Sequence, residues 1–123
     1  MKIQEVIKVL EDWAPLTYAE EYDNVGLLVG DTQKTCTGIL ITIDSIEDVV
    51  DEAINKKYNL IVSFHPIIFS GIKKLTGENY VQKTIIKAIK NDIAIYAIHT
   101  ALDKHKFGVN YKISKVIGLK KTQ

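Results

Sequence analysis

The sequence predicts an α/β fold in which a mostly parallel sheet is flanked by helices. Two observations predict it. Short β-branched runs at 39–43, 60–62 and 93–98 alternate with stretches whose apolar residues recur at helical spacing. That alternation builds right-handed βαβ units and a parallel sheet. The chain also has 123 residues, which is one domain spanning 1–123 and too short for two.

Each element has a local cause. Ile3, Val6, Ile7, Leu10 and Trp13 form one apolar helical stripe, and Pro15 stops that helix. Residues 16–21, including Tyr18, read as irregular. Leu27, Leu28 and Val29 make a short strand between Gly26 and Gly30. The run 39–43 reads as a buried strand. Ser45 with Asp48 three residues on fits a helix-start box, and Asp44 is expected to belong to the same cap. Ile46, Val49, Val50, Ala53 and Ile54 give the second helical stripe, with Lys56 and Lys57 in its last turn. The run 60–62 is a second buried strand. A loop from 65 to 80 follows, punctuated by Gly71 and Gly77. Val81, Ile85, Ala88 and Ile89 mark a third helix that ends near Asn91, and 93–98 is a further strand. Val109, Ile113, Val116 and Ile117 mark a last helix, with Gly118 where a C′ glycine belongs.

Composition excludes several classes. Sixteen basic and fifteen acidic side chains nearly balance, so no basic excess draws the chain to nucleic acid. The N-terminus carries Glu5 and no long apolar run, which argues against a signal peptide, and no stretch is long enough to cross a bilayer. The cytoplasm is the expected location. The single cysteine, Cys36, cannot form an internal disulfide, which fits a reducing compartment, and it reads as an ordinary loop thiol.

In open parallel sheets, sites form beyond the carboxyl ends of the strands. Asp44 follows the first β-branched run, His65 follows the second, and His99 and Asp103 follow the third. Histidine nitrogen and aspartate oxygen suit Zn, Mn, Fe or Ni. Plainer readings stand beside these. His65 before Pro66 fits a residue that only fixes a turn. His105 between Lys104 and Lys106 fits a solvated loop, and Asp23-Asn24 before Gly26 fits a turn. No Walker-type phosphate loop is present, so nucleotide binding has no independent support.

Four ordered motifs carry a resemblance over essentially the whole chain. They are Asp23-Asn24-Val25-Gly26-Leu27-Leu28-Val29-Gly30, Phe64-His65-Pro66-Ile67-Ile68-Phe69, His99-Thr100-Ala101-Leu102-Asp103 and Gly108-Val109-Asn110. As an ordered set they resemble the N-terminal half of the Nif-three-like (NGG-one-interacting-factor-three-like) family, whose bacterial members are often labelled GTP cyclohydrolase 1 type 2 homologs. The resemblance implies half of a Nif-three-like α/β fold, a centre of two divalent metals (Zn, Fe, Mn or Ni) per complete site, and a homo-oligomer, commonly a ring-shaped hexamer. It makes His65 and Asp103 metal ligands, has His99 line the site, and puts Asn24 and Gly26 close to the same cleft. Phe64 stands where many members carry a further histidine, so one metal loses a donor. Phe64 is expected as an apolar wall of the cleft. The family's remaining ligands, a histidine and a glutamate, lie in a C-terminal half, so the chain is expected to be a truncated form that binds metal weakly or not at all alone. The intact protein is expected to be a metal-dependent hydrolase with a small-molecule or nucleotide substrate. The rival expectation is a non-enzymatic binding or regulatory module that keeps the fold without a complete metal site.

Overall fold

The computed structural model describes residues 1–16 and 24–99. The elements are α1 (Ile3–Trp13), β1 (Gly26–Val29), β2 (Ile39–Thr42), α2 (Glu47–Lys56), β3 (Leu60–Ser63), α3 (Tyr80–Lys90) and β4 (Ala94–Ala97). Tyr18, Asp23, Asp103, His105 and the helix expected around 109–117 lie outside the described residues.

The four strands form one sheet in the order β1-β4-β3-β2. β2 pairs with β3, and β3 with β4, in parallel, while β1 runs antiparallel to β4. Helices cover both faces because the central strands are apolar on both. Successive residues of a strand face opposite ways. Leu60, Val62, Ala94, Tyr96 and Ile98 therefore join Ile3, Val6 and Ile7 of α1 in one core. Ile61, Ile93 and Ile95 join Val50 and Ala53 of α2 and Ile85 and Ala88 of α3 in the other. The ends of three predicted stripes fall outside these cores, since Trp13, Ile46 and Ile89 are exposed.

β2 departs from the expectation of a buried strand. Ile39, Ile41 and Ile43 are all exposed, Ile41 to 80%. The reason is positional. β2 is the edge strand, and its Ile39 and Ile41 pair with Leu60 and Val62, which face the α1 side. α1 packs over β3 and β4, and the row on β2 lies beyond it. Leu40, on the opposite face, packs against the α2–α3 core.

The helix-start box is also corrected. The N-cap of α2 is Ile46, with no side-chain cap bond, and the Ser45 hydroxyl is buried with no hydrogen-bond partner among the described residues. Glu47 and Asp48 in the first turn complement the helix dipole instead. Asp44 does not cap the helix either; it is engaged elsewhere. α3 has a true cap, with Asn79 accepting from the Gln82 N–H. Lys87 on α3 reaches Asp51 on α2 at 2.9 Å and Glu47 at 3.8 Å.

Two features of the core generate measurable outcomes. Gly30 has φ +119°, and a Cβ there would lie 2.5 Å from the Ala94 Cβ and 2.7 Å from its Cα. Backbone cannot yield as a flexible side-chain tip can. Gly30→Ala is expected to cost about 3 kcal/mol in urea unfolding, from strain plus overpacking.

Tyr96 is fully buried, and Glu11 lies near its hydroxyl. Burial, and then the charge of nearby Glu11, push its pKa above the ordinary value. The folded protein thus keeps a proton that the unfolded chain releases. Stability from this group is fully present below the ordinary tyrosine value and falls as pH rises past about 10. Tyr96→Phe is expected to flatten that alkaline loss in unfolding curves taken against pH. At neutral pH it should cost no more than about 1.5 kcal/mol, the upper end for losing one ordinary hydrogen bond, here that with Glu11.

Candidate functional site

Parallel register brings three strand ends level. Thr42 pairs with Ser63, and Ser63 with Ala97. The ladder continues past the strands. The Phe64 N–H donates to the Thr42 carbonyl (3.0 Å) and the His65 N–H to Ile43 (2.9 Å). The Ile98 N–H donates to Ser63 (3.0 Å) and the His99 N–H to Phe64 (2.8 Å). Asp44, His65 and His99 each stand two residues beyond one of the three level ends, so a single row across the sheet holds all of them.

Side chains fix the backbone of this row. The Thr42 hydroxyl donates to the Asp44 carbonyl at 3.0 Å. The Ser63 hydroxyl donates to the His65 carbonyl at 2.8 Å. His99 sits at φ +26°, a backbone region that non-glycine residues seldom occupy.

His65 Nδ1 and Asp44 Oδ1 are 2.6 Å apart. The side chains are 47% and 62% exposed, so water screens the pair and it contributes little to stability, about 0.2–1 kcal/mol. Its effect is on orientation. Phe64 adds a second restraint. Its ring centroid lies 5.0 Å from that of His65 and 5.1 Å from that of His99, edge-on to both. The two imidazole centroids are 5.4 Å apart. Phe64 also packs against the α1-side core, so it joins the buried face to both histidines.

Asn24 and Gly26 lie at the same end of the sheet. Gly26 pairs with Ala97, two residues before His99. Its φ is +101°, and a Cβ would lie 3.3 Å from the Leu16 side chain. The Asn24 amide donates to the Ile68 carbonyl at 2.6 Å, tying the start of β1 to the loop after His65. A depression of about 380 Å³ begins at Pro66 and runs between that loop and the first turn of α3. Cys36 is half-buried against the α1-side core, remote from this row in the sheet.

The structure therefore brings His65, His99 and Phe64 together and sets Asn24 and Gly26 at the same end of the sheet, while Asp103 lies outside the described residues. Among the described residues no group of three His, Cys, Asp or Glu side chains is placed to hold a metal ion. Asp44 is the residue that sequence reasoning assigned to the wrong task. The usable signal was register. Once the strand ends are aligned, an aspartate and a histidine at the same offset on neighbouring parallel strands must face each other.

A family model described as Duf34/NIF3 (NGG1p interacting factor 3) matches residues 1–123. A Clostridium acetobutylicum protein named GTP cyclohydrolase 1 type 2 homolog is 39% identical over 99% of the chain, which covers 46% of that protein. A Staphylococcus aureus protein of the same name is 44% identical over 98% of the chain and 32% of its own length. The chain thus spans less than half the length of these relatives. Among solved structures, a Bacillus cereus protein related to NIF3 superposes with TM-score 0.95 at 41% identity, covering all of this chain and 34% of the other. Reduced HcgD from Methanocaldococcus jannaschii superposes with TM-score 0.90 at 31% identity, covering all of this chain and 49% of the other.

Phe64→Leu tests the ring cluster. The substitution keeps the site apolar but trims the side chain, and at this partly buried position it is expected to cost about 1–2 kcal/mol. The ring-proton NMR signals of both His65 and His99 should move, because both lose an aromatic neighbour. If neither moves, the three rings are not in contact in solution.

Proposed function

We propose that this domain, which belongs to the Duf34/NIF3 (NGG1p interacting factor 3) family, supplies part of a divalent-metal site. The observation that supports it is the Asp44–His65 pair. Metal-ligating histidines almost always hand their second ring nitrogen to a carboxylate, carbonyl or water. With Nδ1 engaged by Asp44, Nε2 is the nitrogen left for a metal. The residues fit one imidazole ligand with its outer partner. Asp103 would be the second donor of this chain, with His99 beside the site.

Two protein donors are fewer than the three of a usual catalytic site. The rest of the set, and a second metal, would come from sequence of the kind the longer relatives carry. Zn, Fe, Mn and Ni all suit these donors. When bound, such a pair supplies Lewis acidity and a water of lowered pKa, which suits a metal-dependent hydrolase. The names of the curated relatives favour a small-molecule or nucleotide substrate. This chain's own residues hold and orient: Asp44 and Phe64 fix the imidazole, and Asn24 holds the loop at Ile68.

A second reading, a binding or regulatory module without a complete metal site, is favoured by Phe64, which offers no donor within the ring cluster. In either reading a homo-oligomer would give the isoleucine row of β2 a cover. The described residues contain no helix long and apolar enough to cross a membrane, and we place the domain in the cytoplasm.

Zn²⁺ titration followed by calorimetry and by the imidazole NMR signals tests the metal reading. The chain alone is expected to bind Zn²⁺ weakly, with His65 perturbed first. His65→Ala should weaken binding at least tenfold. Zn²⁺ binding that leaves the His65 ring untouched, or that His65→Ala leaves unchanged, would overturn it.

A further inference from the structure

We infer that Asp44 is a positioning residue, which fixes the tautomer and rotation of His65 so that Nε2 carries the lone pair. The inference deepens the metal-binding reading and rests on it for its functional meaning, though its main test needs no metal.

The argument starts from proton bookkeeping. A neutral imidazole has one N–H donor and one acceptor nitrogen. An ionised carboxylate only accepts. At 2.6 Å from Asp44 Oδ1, His65 Nδ1 must therefore be the nitrogen that bears hydrogen. Nε2 is then unprotonated and can donate its electron pair to a cation. Imidazole side chains free in water favour the opposite tautomer, with the proton on Nε2, so the carboxylate selects the minor form.

Rotation is fixed by the same contact together with the backbone bonds at both of its ends and the neighbouring Phe64 ring. The Asp44 backbone is held by the Thr42 hydroxyl, and the His65 backbone by the Ser63 hydroxyl and by the ladder bond to Ile43. Both ends of the pair are thus anchored on neighbouring parallel strands. The edge-on Phe64 ring restrains the imidazole from another side. A stability role accounts poorly for this arrangement, because both side chains are about half exposed and such pairs contribute little. Helix capping does not account for it either, since the α2 cap is Ile46.

The test is long-range ¹H–¹⁵N correlation NMR of the His65 ring in the metal-free chain, at alkaline pH where imidazole is neutral. His65 should show the Nδ1–H pattern, and His65 in Asp44→Ala should revert to Nε2–H. Asp44→Asn, which can turn its amide N–H₂ toward the ring, should also lose the Nδ1–H form. Asp44→Glu should recover part of it. Zn²⁺ affinity should fall ~10- to 100-fold in Asp44→Ala and Asp44→Asn. An Nε2–H pattern in the unmodified chain overturns the inference without any variant being needed, so misfolding of a variant cannot rescue it. An Nδ1–H pattern that all three substitutions leave intact overturns it as well. The Nδ1–H pattern with its expected loss, but with no Zn²⁺ response at His65 in any chain, upholds Asp44 as the positioning group and sinks the metal reading alone.

Discussion

The level carboxyl ends of β2, β3 and β4 are the constraint on which the site depends. Parallel pairing fixes each strand against its neighbour, and a slip of one residue would turn every side chain to the other face. Here a slip of β2 against β3 would exchange Asp44 for Ile43 opposite His65. It would also drive Leu40 out of the α2–α3 core. Packing of the apolar faces and alignment of the polar row are therefore one condition. The two central strands, buried on both sides, enforce it far more strongly than the half-exposed polar contacts could.

Phe64 shows how the two sides of the sheet meet at this rim. By alternation it continues the face of Leu60 and Val62, and it does pack against the α1-side core. Its ring nevertheless reaches both imidazoles, which follow at the same end of the sheet. A side chain that could coordinate would have placed a charged or polar group against that core. A phenyl ring satisfies the core and leaves His65 and His99 oriented by edge contacts.

Much of this was legible in the residues themselves. The alternation of β-branched runs with helical stripes gave all the described strands and helices within a residue or two of their observed ends. The antiparallel placement of β1 was not legible, because Leu27, Leu28 and Val29 carry no mark of direction; the direction comes from pairing with Ala97, Tyr96 and Ile95. β2 was misread as buried because Ile39, Ile41 and Ile43 look the same whether a helix covers them or not. Asp44 was misread because local rules favour a cap for an aspartate just before a helix, and the competing partner lies on another strand. His65, His99, Asn24 and Gly26 were singled out by position or by motif, and the fold sets them at one end of the sheet.

The way α1 is buried bears on how the chain is made. Ile3, Val6 and Ile7 lie near the start of the sequence, yet the strand residues they pack against run from Leu60 to Ile98. During synthesis α1 emerges well before the strands that it packs against. At typical translation speeds the interval is on the order of ten seconds. For that time the apolar face of α1 lacks the strands that bury it, and the helix must wait for a later segment to find its place.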